Sequence, residues 1–439
     1  MSPGSGTTTP RVAVIGAGYA GVAAAVRLTL ANIRVCVFES AHTPGGRARS
    51  IQYHEHILDN GQHMLVGAYA NLLALLDVIG MGEAGLLRMP MQMRMHPDFR
   101  LTTPRLPAPL NLAWGLIMAE GLSWRDRMAA TRLSNMVRKP CLPPKLRSGT
   151  VAELLAATGQ TEKLVRALWL PLCIAALNTP IETASADVFA NVLRDALFKR
   201  REHSDFLLPT VGLTELFPGP ALQWLSARGG AVHLGTRVRA VSGEGRGFTI
   251  LTDKAKAMGD SFDAVVCAVG PHQLDELGGL AATALPASRP LRFEPICTVY
   301  LAYSSPVPLP AIMVGSERGV AQWFFDRSQL GGPGGLIAAV ISASGPHERM
   351  AQSKIASQAH AELQQITGPL ETPLWSKVIT ERFATFACTP DAPRPGTRTN
   401  LPGFYLAGDY TAGPYPATLE GAVRSGEAAA AQLIADLAH

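Results

Sequence analysis

Residues 58–69 read LDNGQHMLVGAY, setting an acid, a turn dipeptide, an amide and an imidazole in consecutive positions before an apolar run. Asn-Gly is a common tight-turn pair because both residues tolerate positive φ. A surface hairpin accounts for Asn60 and Gly61. It does not account for Asp59 and His63 bracketing them just before Met64, Leu65 and Val66. A carboxyl and an imidazole held together in an apolar setting can exchange protons with a reacting group. The plain alternative is that both side chains only brace the turn.

Two further segments carry chemistry. In RVAVIGAGYAGVAAAVRLTLANIRVCVFES, the pattern predicts a strand over 12–15, a helix over 19–31 and a strand over 34–38. Gly16, Gly18 and Gly21 lie between the first two in GxGxxG spacing, and Glu39 follows the second strand. This is the arrangement that lets a pyrophosphate approach bare backbone at a helix N-terminus while an acid accepts from ribose. Gly45, Gly46 and Arg47 then offer a second bare backbone and a fork of donors for phosphate oxygens. Near the other end, GFYLAGDYTAGPYPATLEGAV predicts a buried strand ending at Gly408-Asp409, then a helix from about Thr418. Asp409 can bond a polyol, and the helix dipole can stabilise negative charge on a ring. Together the two ends imply one cofactor held by both.

The elements around them must belong to a large globular chain. Its 439 residues are 47% hydrophobic, enough for two or three domains. Six cysteines form no CxxC pair and no metal-ligand spacing, so they read as reduced core thiols of a cytoplasmic protein. Residues 1–10 lack a signal peptide's charged start and apolar stretch, and no run reaches a membrane span. Net charge is +5, yet residues 88–147 hold eleven Arg or Lys against three acids, with Trp114, Trp124 and seven of the thirteen Met. That combination suits an anionic membrane surface; the alternative is a solvated basic face over a Met-rich core. No nucleic-acid motif accompanies it. Met89, Met91, Met93 and Met95 alternate with other residues, predicting one strand with a thioether face that is either core or the wall of a greasy pocket. A helix within LNLAWGLIMAEGL, a capped helix after Ser123, a linker over 140–149, helices over 150–200 and a helix near 347–366 complete the outline.

GAGYAG with Glu39, the GGR at 45–47 and the LAGD…EGAV…SG ending resemble the flavin-dependent amine oxidase and phytoene desaturase superfamily. The resemblance implies an α/β fold: a Rossmann-like FAD-binding domain of glutathione-reductase type with a discontinuous, amine-oxidase-like α+β substrate domain. The FAD domain would use 1–70, 211–290 and 390–439, and the substrate domain 71–210 and 291–389. FAD would be non-covalent, since the context of Cys388 is not that of a flavin-attaching cysteine. Glu39 would hold the adenosine ribose, the 16–21 loop and Arg47 the pyrophosphate, Asp409 the ribityl chain, and backbone at Val238 the adenine. Thr418 and Leu419 would face the flavin pyrimidine edge, and Gly61 would turn the chain beside the ring.

More narrowly, LDNGQHMLVGAY, PLCIAALNTP, LPTVGLTELFP, WFFDR and DYTAGPYPATLEGAVRSG resemble the hydroxysqualene dehydroxylase family of squalene and hopanoid biosynthesis. This implies reductive loss of an allylic hydroxyl: an acid protonates the leaving group, and hydride from reduced flavin quenches the allyl cation. His63 or Asp59 would be the proton donor, with His63 favoured and Asp59 then orienting it or bonding the flavin. Tyr69, Met93, Trp323, Phe325 and Tyr415 would line the substrate site. The partners would be hydroxysqualene, an unidentified flavin reductant and an anionic membrane face, without nucleic acid. Two departures stand out: Tyr19 replaces a more usual Trp, and Leu170 stands where many members carry an acid. Asp326 and Arg327 read as an ion pair. The alternative activities are a polyisoprenoid desaturase or isomerase, or a silent FAD-binding squalenoid carrier.

Overall fold

The computed structural model describes residues 9–244, 247–254, 261–274, 276–283 and 291–438. The start of the polar tail and the division expected at 290 lie outside the described residues.

Short apolar strands without polar alternation form a sheet buried on both faces. The order is Ala231–His233, Arg34–Phe38, Arg11–Ile15, Ala264–Cys267, Phe404–Leu406, all parallel. Helices Tyr19–Leu30 and Leu419–Leu437 pack on it with Val12, Val14, Val266 and Tyr405 in one apolar cluster. The two helices cross closely because position 426 is glycine; a Cβ there would stand 2.0 Å from the Ala20 carbonyl oxygen. The sheet thus joins three distant stretches of chain. It points the loops after Ile15, Cys267 and Leu406 to one edge, where ligands bind in such folds.

A seven-stranded sheet forms the second unit. Its order is Trp375–Phe386, Phe293–Ala302, Leu336–Ser342, Trp323–Asp326, Met313–Ser316, Gln92–His96, Phe99–Thr102, antiparallel except where Gly315 and Ser316 pair with Met95 and His96. A small sheet of Leu65–Val66, Phe206–Pro209 and Leu86–Met89 connects the units. It pairs Leu65 and Val66 with Leu207 and Phe206, on opposite sides of the division expected at 70. Leu65, Leu72, Leu76, Leu86 and Leu207 all pack in the cluster of the parallel sheet.

The alternating methionines do not form one strand. Met89 ends a strand of the small sheet, and Met93 and Met95 lie on the next, in the seven-stranded sheet. Pro90 separates them, since it cannot donate to a ladder. Met91, Met93 and Met95 are fully packed core. The linker expected over 140–149 contains a helical turn, Pro144–Arg147. Helix Trp124–Val137 opens on the expected Ser123 cap, which is reciprocated by Asp126: its carboxylate accepts from the Ser123 N–H at 2.7 Å. The helix expected near 347–366 runs Gln352–Thr367.

Candidate active site

A cavity of about 730 Å³ opens at that edge of the parallel sheet and continues to the seven-stranded sheet. Gly16, Gly18, Gly45 and Gly46 line one end. Gly16 has φ +102°, and a Cβ on it would meet the Ala268 carbonyl oxygen at 2.9 Å, so only glycine makes this turn without strain. The two loops are joined by a bond from Gly45 N–H to the Ala17 carbonyl, 2.8 Å. Gly21 does not line the cavity. It lies 2.0 Å, measured from an added Cβ, from the Gly16 carbonyl oxygen, and so seats the helix on the loop. Glu39 is buried and accepts from the Ala17 and Ala41 N–H groups, both at 2.8 Å. A carboxylate has lone pairs left for ribose hydroxyls after that. Val238 lines the same end.

Arg47 lines the cavity. Its Nη2 donates to Asp409 Oδ1 at 2.6 Å and its Nη1 to the Ala384 carbonyl at 2.7 Å. Two side chains expected to hold separate parts of the cofactor form one ion pair that ties the chain ends together beside the cavity. Arg394 fixes the following loop through the carbonyls of Gly413 (2.7 Å), Tyr415 (2.9 Å) and Asp409 (3.1 Å). The Gly408 N–H donates to Ser425 Oγ at 2.9 Å. Thr418 caps helix Leu419–Leu437 by accepting from Gly421 N–H at 3.0 Å, and Thr418 and Leu419 line the cavity. A helix N-terminus, a bare-glycine cradle and a buried Tyr410 hydroxyl without a partner among the described residues fit a dinucleotide carrying an anionic ring.

The 59–63 turn is pinned from three sides. Tyr300 Oη donates to the Asp59 carbonyl (3.0 Å), Asn60 N–H to the Arg49 carbonyl (2.9 Å), and Asn60 Nδ2 to the Arg47 carbonyl (3.0 Å). Gly61, Gln62 and His63 consequently line the cavity. His63 Nδ1 lies 2.8 Å from the Gly61 carbonyl, which selects the Nδ1–H tautomer. His63 lines the cavity, and the Nδ1–H tautomer leaves Nε2 as the acceptor nitrogen of the ring. Burial holds its pKa below the ordinary value despite the Gly61 bond and the Asp59 charge.

Asp59 faces away from the cavity. Its Oδ1 accepts from Leu213 N–H at 2.9 Å and Ser50 Oγ at 3.0 Å. Burial raises its pKa, opposed by the Leu213 bond and by Arg327. The Gly61 carbonyl, and not Asp59, orients His63.

Tyr69, Trp323 and Phe325 line the cavity as expected. Met93 is core, and Tyr415 bonds Asp195 on the outside of the site, so neither lines it. Arg327 does not pair with Asp326: it donates to Gln62 Oε1 at 2.9 Å, while Asp326 caps Ser328. Leu170 does not line the cavity. Sequence reasoning passed over Ile174, Ala175 and Met313 as lining residues. The first two stand in PLCIAALNTP, whose left-handed Asn178 ends the helix at the cavity; no local pattern distinguished Met313.

Fold and site define the class of protein. Residues 19–434 match the family of flavin containing amine oxidoreductases. The chain belongs to that family and is an FAD-dependent oxidoreductase. A solved cyclohexylamine oxidase from Brevibacterium oxydans shares the fold, with a TM-score of 0.69 and 17% identity over 98% of this chain and 100% of that one. Within the family the chain is similar to hydroxysqualene dehydroxylases. It is 31% identical to that of Rhodopseudomonas palustris over 97% of this chain and 98% of the relative. It is 30% identical to that of Sinorhizobium fredii over 95% and 97%.

Proposed function

We propose that this protein reduces hydroxysqualene to squalene, releasing the hydroxyl as water. The observation that carries the reading is end-to-end similarity to hydroxysqualene dehydroxylases, in a chain whose cofactor cradle runs directly into an apolar chamber. FAD, held by the Gly16–Gly18 loop, Glu39, the Arg47–Asp409 pair and the N-terminus of helix Leu419–Leu437, supplies hydride when reduced. An external two-electron donor, unidentified, must precede each turnover.

The chain's own residues have three tasks. Met313, Trp323, Phe325 and Val340 wall the chamber with apolar surface, which keeps water from capturing an allyl cation. The rings of Trp323 and Phe325 offer π faces to that cation. His63 binds the substrate hydroxyl at Nε2; in its imidazolium form it donates the proton that turns hydroxide into water. Overall, R–OH plus one hydride and one proton gives R–H plus water, so each cycle consumes one proton. Asp59 holds the turn that carries His63 and does not itself touch the substrate. The lipid-soluble substrate also gives the basic 88–147 region a reason to meet an anionic membrane.

The test is anaerobic. The protein is reduced, hydroxysqualene is added, and flavin absorbance and the organic extract are followed together. Squalene appearing in step with flavin reoxidation is expected. Stable reduced flavin with unchanged substrate would overturn the reading. It would direct the search to oxidised protein and polyene substrates, the desaturase direction.

A further inference from the structure

Helix Leu110–Met118 is apolar on both faces. Leu112 and Leu116 point into the core, and Gly115 lets the helix lie on the edge strand Phe99–Thr102. Positions 110, 113, 114, 117 and 118 have the spacing of one helix face, and that face looks outward. Leu110 is 59% exposed, Trp114 52%, Ile117 53% and Met118 63%; beside them Trp124 is 70% and Met128 46% exposed. Single exposed apolar residues need no explanation, but a contiguous group marks an interaction surface.

We propose that this face, with the start of helix Trp124–Val137, is a wedge that inserts in the plane of an anionic lipid bilayer. Three features favour lipid over a protein partner. The first is charge. Arg105 and Arg125 flank the wedge in the chain, and Arg138, Lys139, Lys145 and Arg147 follow its second helix; all six are exposed and make no ion pair among the described residues. The nearby acids are engaged: Glu120 by Arg100 and Asp126 in the Ser123 cap. Unpaired cations on the same segment as an exposed apolar face complement anionic headgroups over acyl chains.

The second is backbone satisfaction. A helix end placed in lipid needs partners for its free carbonyls. Arg127 supplies them, donating from Nε to Leu116 and Ile117 (both 3.1 Å), from Nη1 to Leu122 (2.6 Å) and from Nη2 to Ala119 (2.8 Å). At the other end Pro107 and Pro109 carry no N–H to satisfy. The third is aromatic placement: the two tryptophans stand on the two helices of the wedge, suited to a membrane interface. Nine residues span about 13 Å, too short to cross a bilayer, and no helix among the described residues is long and apolar enough to do so.

The location suits the proposed reading, on which the functional meaning of the wedge rests. The edge strand beneath it is three strand spacings, about 14 Å, from Trp323–Asp326, whose Trp323 and Phe325 line the cavity. A substrate dissolved in lipid would be taken up on the docked side.

The test is co-sedimentation of the FAD-loaded protein with vesicles of phosphatidylcholine alone or mixed with phosphatidylglycerol. Binding to the mixed vesicles, at least tenfold above the neutral ones, is expected. Trp114→Ser with Ile117→Ser should lower it at least tenfold, with flavin absorbance and melting temperature unchanged. Arg105→Glu with Arg125→Glu, which leaves the apolar face intact, should lower it similarly. Absence of binding to mixed vesicles, or undiminished binding by both double variants, overturns the proposal. So does a dimer in sedimentation velocity that the Trp114 and Ile117 variant dissolves while the vesicles stay bare, because the face would then belong to a second copy. Vesicle binding is read without turnover, so failure of the dehydroxylase reading leaves this result standing.

Discussion

At neutral pH the buried His63 imidazole offers the cavity a lone pair, not a proton, because Nδ1–H is committed to the Gly61 carbonyl. If His63 is the acid, only the minor imidazolium form is active. Its folded pKa lies below 6.5, so single-turnover reoxidation of reduced enzyme by hydroxysqualene should accelerate as pH falls through 7 and level off only below 6.5. His63→Gln should slow that step by about 100-fold or more, the usual range for a general acid, and flatten the profile. Wild-type rates in His63→Ala would remove the acid role. Asp409→Asn should act differently, since it leaves Arg47 with an unmatched charge. A loss on the order of 2 kcal/mol and weaker FAD retention are expected by denaturant titration and by ultrafiltration of the flavin. These residues were unevenly legible. His63 was visible because its neighbours are unusual for a surface turn. The Arg47–Asp409 pair was not, because its partners lie 362 residues apart and only the fold brings them together.

Helix and strand placement followed from local pattern wherever the pattern was long. The first strand, the glycine loop and the first helix lie within a residue of their expected positions because glycine spacing and apolar runs constrain them locally. The methionine run failed at Pro90, where the chain changes sheets and alternation continues through the break. Close element packing was legible only as unexplained glycine. Gly426 sits where an added Cβ would stand 2.0 Å from the Ala20 carbonyl oxygen, and Ala20 lies on the helix that opens at the cofactor loop. Gly426→Ala should therefore separate the two terminal helices. It should cost about 1–3 kcal/mol, the range for overpacking, and reduce flavin content at equal expression. Unchanged stability and flavin content would mean that the crossing relaxes freely and does not hold the cradle.

For the whole molecule, acid should be more destabilising than the modest net charge suggests. His63, His233, His272, His347 and His360 all have pKa values lowered chiefly by burial. A histidine whose folded pKa lies below its unfolded value takes up more protons when unfolded. Stability therefore rises with pH across that window and is lost as pH falls through 6.5 toward the folded values. Asp59 acts in the opposite sense: burial raises its pKa above 3.8, so protonation in the folded state favours folding as the solution becomes acidic. One carboxyl set against five imidazoles does not reverse the trend between neutrality and mild acid. The urea midpoint should be lower at about pH 5.5 than at about pH 7.5, with unchanged slope if the native state stays compact. His347→Gln, away from the cavity, should reduce the difference without altering flavin binding. A midpoint that is equal or higher in acid would show that these histidines reach water in solution, and would also remove the basis for a depressed His63 pKa in the active site.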